Sequence, residues 1–148
     1  MAFFVQKKDF CVNHELAKLQ EKSSNIGAIV TFTGCVRGSV NGQLLSEMFL
    51  EYYPGMTEAE LERIENEATK LWSLQAIVII HRYGKLQPGD RIVMVATASV
   101  DRCSAFEASQ FIMDNVKKRA TFWKKESFTN GESCWVDNRE QDFRRLQR

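Results

Sequence analysis

The run Ala76–Ile80 is almost wholly apolar. At this length it reads as a strand covered on both faces, so other elements must supply the cover. Its neighbours qualify. Ahead of it, Thr57 with Glu60 forms a capping box, which predicts a helix running to about Trp72. In that helix Leu61, Ile64, Ala68 and Leu71 recur at spacings of three and four and form one apolar stripe. Behind it, Leu86-Gln87-Pro88-Gly89-Asp90 reads as a turn, and Arg91–Ser99 as the next strand.

The same reading extends along the chain. Phe3–Gln6 is a short first strand. Asp9 caps a helix over Phe10–Glu21 with Leu16 and Leu19 on its buried side, and Ser23-Ser24-Asn25 ends it. Gly27–Val36 is a strand. Asn41-Gly42 is a hairpin signal that returns Leu44–Tyr53 as its partner strand. Ser99 or Asp101 caps a third helix over Arg102–Lys118, packed through Ala105, Ser109, Ile112 and Val116. Thr121–Ser127 is extended, and a second hairpin signal at Asn130-Gly131 leads to a strand around Cys134–Val136. Residues 141–148 form a polar, basic tail that frays. Strands occur both in hairpins and after helices, which predicts an α+β protein with a mixed or mainly antiparallel sheet and about three helices.

At 148 residues the prior is one domain spanning 1–148. Composition excludes some functions. The net charge is +1, against the strongly basic balance of a general nucleic-acid binder. No run approaches the ~20 apolar residues that span a bilayer, and the N-terminus has no signal-peptide pattern. The four cysteines, Cys11, Cys35, Cys103 and Cys134, form no CxxC pair and match no zinc spacing. They read as packed or idle thiols in a reduced, cytoplasmic protein, with a redox role open for Cys35 and Cys103. His14 and His81 read as structural, and no metal or cofactor is expected.

The chemistry concentrates in Phe111–Glu126, where Lys117, Lys118, Arg119, Lys124 and Lys125 surround Phe122-Trp123. Cations at a helix C-terminus complement the macrodipole, worth ~0.3–1 kcal/mol each, and that alone accounts for the first three. Lys124 adds a second reading. Buried Phe122 and Trp123 rings would fix its origin, and a chain reversal near Ala120-Thr121 would bring it towards Lys117. Neighbouring ammonium groups depress each other's pKa, which suits acid, base or nucleophile chemistry. Arg37 ends a glycine-flanked strand and reads either as a turn arginine or as a phosphate fork. Asp101-Arg102 opens a helix, with Asp101 as cap and Arg102 as an anion ligand. Arg102, Phe106, Gln110, Met113 and Lys117 share one helical stripe, yet Arg102 and Lys117 stand ~22 Å apart along it. Both serve one small ligand only if one comes from a second subunit, as in a two-fold dimer.

Five motifs in order, GAIVTFTGCVR, LEYYPGMTEAEL, VIIHRYGKLQPGD, DRCSAFEASQFIMDNVKKRATFWKKE and CWV, resemble the large, catalytic subunit of molybdopterin synthase over about Gly27–Asn138. The resemblance implies an α/β hammerhead-type fold and a homodimer within a heterotetramer. It implies a small ubiquitin-like carrier whose C-terminal Gly-Gly thiocarboxylate enters the site. It also implies sulfur transfer, in two rounds, to cyclic pyranopterin monophosphate, forming the molybdopterin dithiolene. By motif, Lys117 and Lys124 match the two essential lysines. Arg37 and Arg102 match the site arginines. Substrate contacts fall near Cys35, Val36, Arg37, Asp101, Arg102, Lys124, Lys125 and Glu126. The chain departs from the pattern at Asp101 and Tyr52, where the family commonly has histidine. The competing readings are a non-catalytic carrier-binding homologue and a phosphate- or RNA-binding module.

Overall fold

The computed structural model describes residues 2–136, so the basic tail lies outside the described residues. The elements are β1 (Ala2–Gln6), α1 (Val12–Gln20), β2 (Ala28–Cys35), β3 (Ser39–Val40), β4 (Gln43–Tyr52), α2 (Met56–Leu71), β5 (Leu74–Arg82), β6 (Gly84–Leu86), β7 (Arg91–Ser99), α3 (Arg102–Arg119), β8 (Phe122–Phe128) and β9 (Ser133–Val136). They form two sheets. One has the order β1-β5-β7-β2, parallel only between β1 and β5. The other runs β3-β4-β8-β9, with β6 also paired to β4. The α+β class with three helices is what the strand and helix patterns predict.

The strand β5 is covered on both faces, as its composition demands. Ile77 and Ile79 pack with Leu61, Ile64 and Ala68 of α2 and with Ile112 and Val116 of α3. Ala76, Val78 and Ile80 point the other way, towards Phe10 and Leu19. Period-two alternation sorts adjacent residues between these two cores. A third cluster, with Val36, Leu45, Met48, Leu50 and Leu86, holds the second sheet together.

Four local expectations are corrected. Asp9 caps nothing. Its carboxylate accepts from the Phe10 N–H at 2.8 Å and pairs with Arg91 at 3.1 Å, so α1 starts two residues later, after Cys11. The strand β4 does not pair with β2, because the Asn41-Gly42 turn returns only as far as the two-residue β3. Asn41 and Gly42 both have positive φ, the geometry of a tight hairpin, and the rest of β4 pairs with β8 and β6. The cap of α2 is Gly55, whose N–H donates to Glu58 at 3.2 Å, and Thr57 lies inside the helix. Leu71 is exposed at the helix end, beyond the reach of β5.

Gly27 is demanded by crowding. A Cβ there would stand 2.0 Å from the Val100 carbonyl oxygen. Only a glycine lets the chain enter β2 this close to the end of β7, where its N–H donates to Ser99 O at 2.9 Å.

Candidate active site

Asp101 starts α3 as its cap, accepting from the Ser104 N–H at 2.7 Å. That bond holds its carboxyl below the usual carboxylate range. Ala105, Ser109, Ile112 and Val116 then bury the helix as their spacing predicts. At its far end the three cations separate. Arg119 is half-buried: its guanidinium bridges Glu60 and Glu67 of α2, which corrects its reading as a solvated helix-end charge. Lys118 is exposed. Lys117 lines a half-open cavity of about 500 Å³.

The chain leaves α3 at Ala120 in extended geometry and enters β8. The hydroxyl of buried Thr57 donates to Thr121 O at 2.9 Å and accepts from the Tyr53 N–H at 3.1 Å. The turn that carries Lys117 into β8 is thereby tied to the start of α2. Phe122 faces inward and forms part of the cavity wall. The Trp123 ring is 44% exposed beside Tyr53, although the residue also lines the cavity, which corrects the expectation that both rings are buried. Neighbouring strand residues cannot share a face.

Lys124 is half-buried on β8, opposite Leu50 and Val136. Val136 lines the cavity with Lys117, but Lys124 is not among its lining residues. Lys125 lies opposite Phe49 and Trp135, and buried Glu126 opposite Met48 and Cys134. Cys35, Arg37 and Arg102 are exposed and stand apart from this cavity, whereas the Val36 side chain is core. Arg102 and Lys117 occupy opposite ends of the 18-residue α3, as their spacing requires. All four cysteines are free and exposed, so none is packed. The Cys103 thiol donates to Glu107 at 3.1 Å, and this bond pushes its pKa up, which opposes thiolate reactivity.

His81 is a cavity residue to which the sequence does not point. It is buried, as expected of a structural histidine, yet it borders the cavity. Its ring stacks on Phe122 at 3.7 Å between centroids and 15° between planes. Burial, reinforced by the Lys117 charge, pushes it down to about 4 against the opposing bond to Arg82 O, so it is neutral. Its place at the end of an apolar strand gave no sign of a cavity beyond. Among the described residues, no group of three or more His, Cys, Asp or Glu side chains is arranged to hold a metal ion, and no helix is long and apolar enough to cross a membrane.

Fold and cavity together define an α+β protein with a cation-rimmed, aromatic-walled pocket, suited to a small anionic molecule. The chain belongs to the MoaE protein family, whose model matches residues 5–119. It is 46% identical over 145 residues to a molybdopterin synthase catalytic subunit of Mesorhizobium japonicum, covering 97% of this chain and 90% of that protein. It is 48% identical over 138 residues to the subunit of the same name from Escherichia coli, covering 93% and 91%. A solved MoaE protein structure from Burkholderia ambifaria superposes with a TM-score of 0.83 at 44% identity, covering 99% of this chain and 97% of that one.

Proposed function

We propose that this chain is the catalytic subunit of a molybdopterin synthase. It moves sulfur from the C-terminal thiocarboxylate of a small ubiquitin-like carrier to cyclic pyranopterin monophosphate. The observation that carries the reading is Lys117, a cation on the wall of a pocket that also has aromatic surface for a planar ring. Lys117 stands at the reaction centre as acid/base catalyst or as the amine nearest the carrier's terminal carbonyl. Lys124, one strand position beyond Trp123, holds substrate and tunes Lys117.

Arg37 and Arg102 anchor the substrate phosphate. Because α3 separates Arg102 from Lys117, Arg102 is supplied by the second copy in a homodimer, and the exposed Phe106 and Gln110 between them belong to the face that meets it. Sulfur arrives already activated on the carrier, so stabilisation of developing negative charge by these cations is the dominant catalytic contribution. Lys117→Ala, with its assembly intact, is expected to abolish dithiolene formation from thiocarboxylated carrier and precursor. Wild-type turnover in that variant overturns the assignment.

A further inference from the structure

We propose that His81 is a positioning residue for Lys117: its Nε2 presents an acceptor at the cavity wall that the lysine Nζ can take. The proposal rests on the reading of Lys117 given above and extends it to a residue outside the charged cluster.

Two contacts fix the ring. Nδ1 lies 2.9 Å from Arg82 O. A carbonyl oxygen only accepts, so Nδ1 carries the proton, and the neutral ring keeps its lone pair on Nε2. Phe122 stacks on one face and prevents the ring from turning. His81 is 5% exposed, yet it lines the cavity with Lys117. With Nδ1 occupied by the backbone and one face covered, Nε2 is the polar atom the ring has to offer there.

The cavity's other lining groups leave this role open. From α3 come Lys117, Lys118 and Arg119, and Arg119 is turned to Glu60 and Glu67. From β8 and β9 come Phe122, Trp123, Trp135 and Val136, all uncharged. Among the described residues no carboxylate lines the cavity, so the imidazole is its one basic acceptor. Burial and the Lys117 charge both keep the ring uncharged, so it accepts rather than repels at neutral pH. A neutral acceptor fixes a flexible lysine without quenching its charge as a carboxylate would. Sub-ångström placement of this kind changes rates by up to about 100-fold.

Two substitutions separate positioning from packing. His81→Phe keeps the stack on Phe122 and removes the acceptor. His81→Gln places an acceptor near the Nε2 position and removes the ring. Each is assayed in the assembled enzyme with thiocarboxylated carrier and precursor, beside Lys117→Ala, with melting temperatures and carrier affinity measured in parallel. The expected pattern is a kcat about 10–100-fold lower in His81→Phe, with KM for the carrier and melting temperature nearly unchanged. His81→Gln retains most of kcat despite its poorer packing. Wild-type kcat in His81→Phe, a reversed order of the two variants, or collapse of both folds assigns His81 to packing and overturns the proposal. If Lys117→Ala itself turns over normally, the parent reading fails and this one with it. An inactive Lys117→Ala beside a fully active His81→Phe sinks only the role of His81.

Discussion

The hydroxyl of Thr57 donates to the carbonyl of Thr121 at 2.9 Å, across 64 residues of sequence. Thr57 is fully buried and also accepts from the Tyr53 N–H. One side chain therefore fixes the spacing between the start of α2 and the turn from α3 into β8, with Lys117 on one side of that turn and Lys124 on the other.

Replacing Thr57 by valine keeps the shape and strands both backbone groups. Each buried group left without a partner costs ~1–3 kcal/mol. Thr57→Val is expected to lose stability in that range in urea denaturation, and Thr57→Ser, which keeps the hydroxyl, to lose less than half as much. A valine variant as stable as the parent would make the bridge incidental.

His81 sets a pH dependence of known sign. Its pKa is about 4 when folded against 6.5 in the unfolded chain. Above pH 6.5 both states are neutral and its contribution is complete. Between pH 6.5 and about 4 only the unfolded chain takes up the proton, so stability falls as pH falls. The shift corresponds to a loss on the order of 3 kcal/mol. His81→Phe is expected to flatten this part of the stability curve, compared by denaturant titration at pH 7 and pH 4.5. An unchanged slope means the ring is protonated in the fold.

Glu65 works in the opposite direction. Burial raises it from 4.5 to about 7, and its Oε1 finds no hydrogen-bond partner among the described residues. Below pH 4.5 it is protonated in both states. As pH rises through 7 the unfolded chain is favoured, because only there does the carboxylate form at no desolvation cost. Glu65→Gln mimics the protonated form. It is expected to match the parent near pH 4.5 and to exceed it by on the order of 2 kcal/mol at pH 8. Equal stabilities at pH 8 would show that water or another group relieves the carboxylate.

How much of the fold is legible in the sequence depends on what each residue answers to. The core of α3 and the two-sided burial of β5 were legible because periodicity follows from backbone geometry alone. Pairing partners were not: Asn41-Gly42 specifies a turn, but nothing local says that β4 prefers β8 to β2. Asp9 was misread because its pairing with Arg82 and Arg91, in place of a helix start, depends on residues over seventy positions away. At the cavity, Lys117 was legible only together with Lys124, since its place at the helix end reads equally as a charge on the macrodipole. His81 was not, since its neighbours on β5 describe the core on both faces and not the cavity at the strand's end. Arg119 was misread for the same reason as Asp9, its partners Glu60 and Glu67 lying on another helix.

The length of α3 leads to the last prediction. Arg102 and Lys117 lie near opposite ends of one continuous helix, ~22 Å apart at ~1.5 Å per residue. A substrate the size of a pterin phosphate cannot touch both within one copy. If the site is shared, each active centre draws Arg102 from one copy and Lys117 from the other. Arg102→Ala and Lys117→Ala homodimers then have two defective sites each. A hybrid of the two has one site with both defects and one with neither. After equal mixing and full exchange, half the dimers are hybrids, and about a quarter of wild-type activity should return. Native mass spectrometry verifies the exchange independently of turnover. If both residues served one site from the same copy, every site in every hybrid would keep one defect. Absence of recovery despite verified exchange would therefore confine the site to a single chain and overturn the shared arrangement.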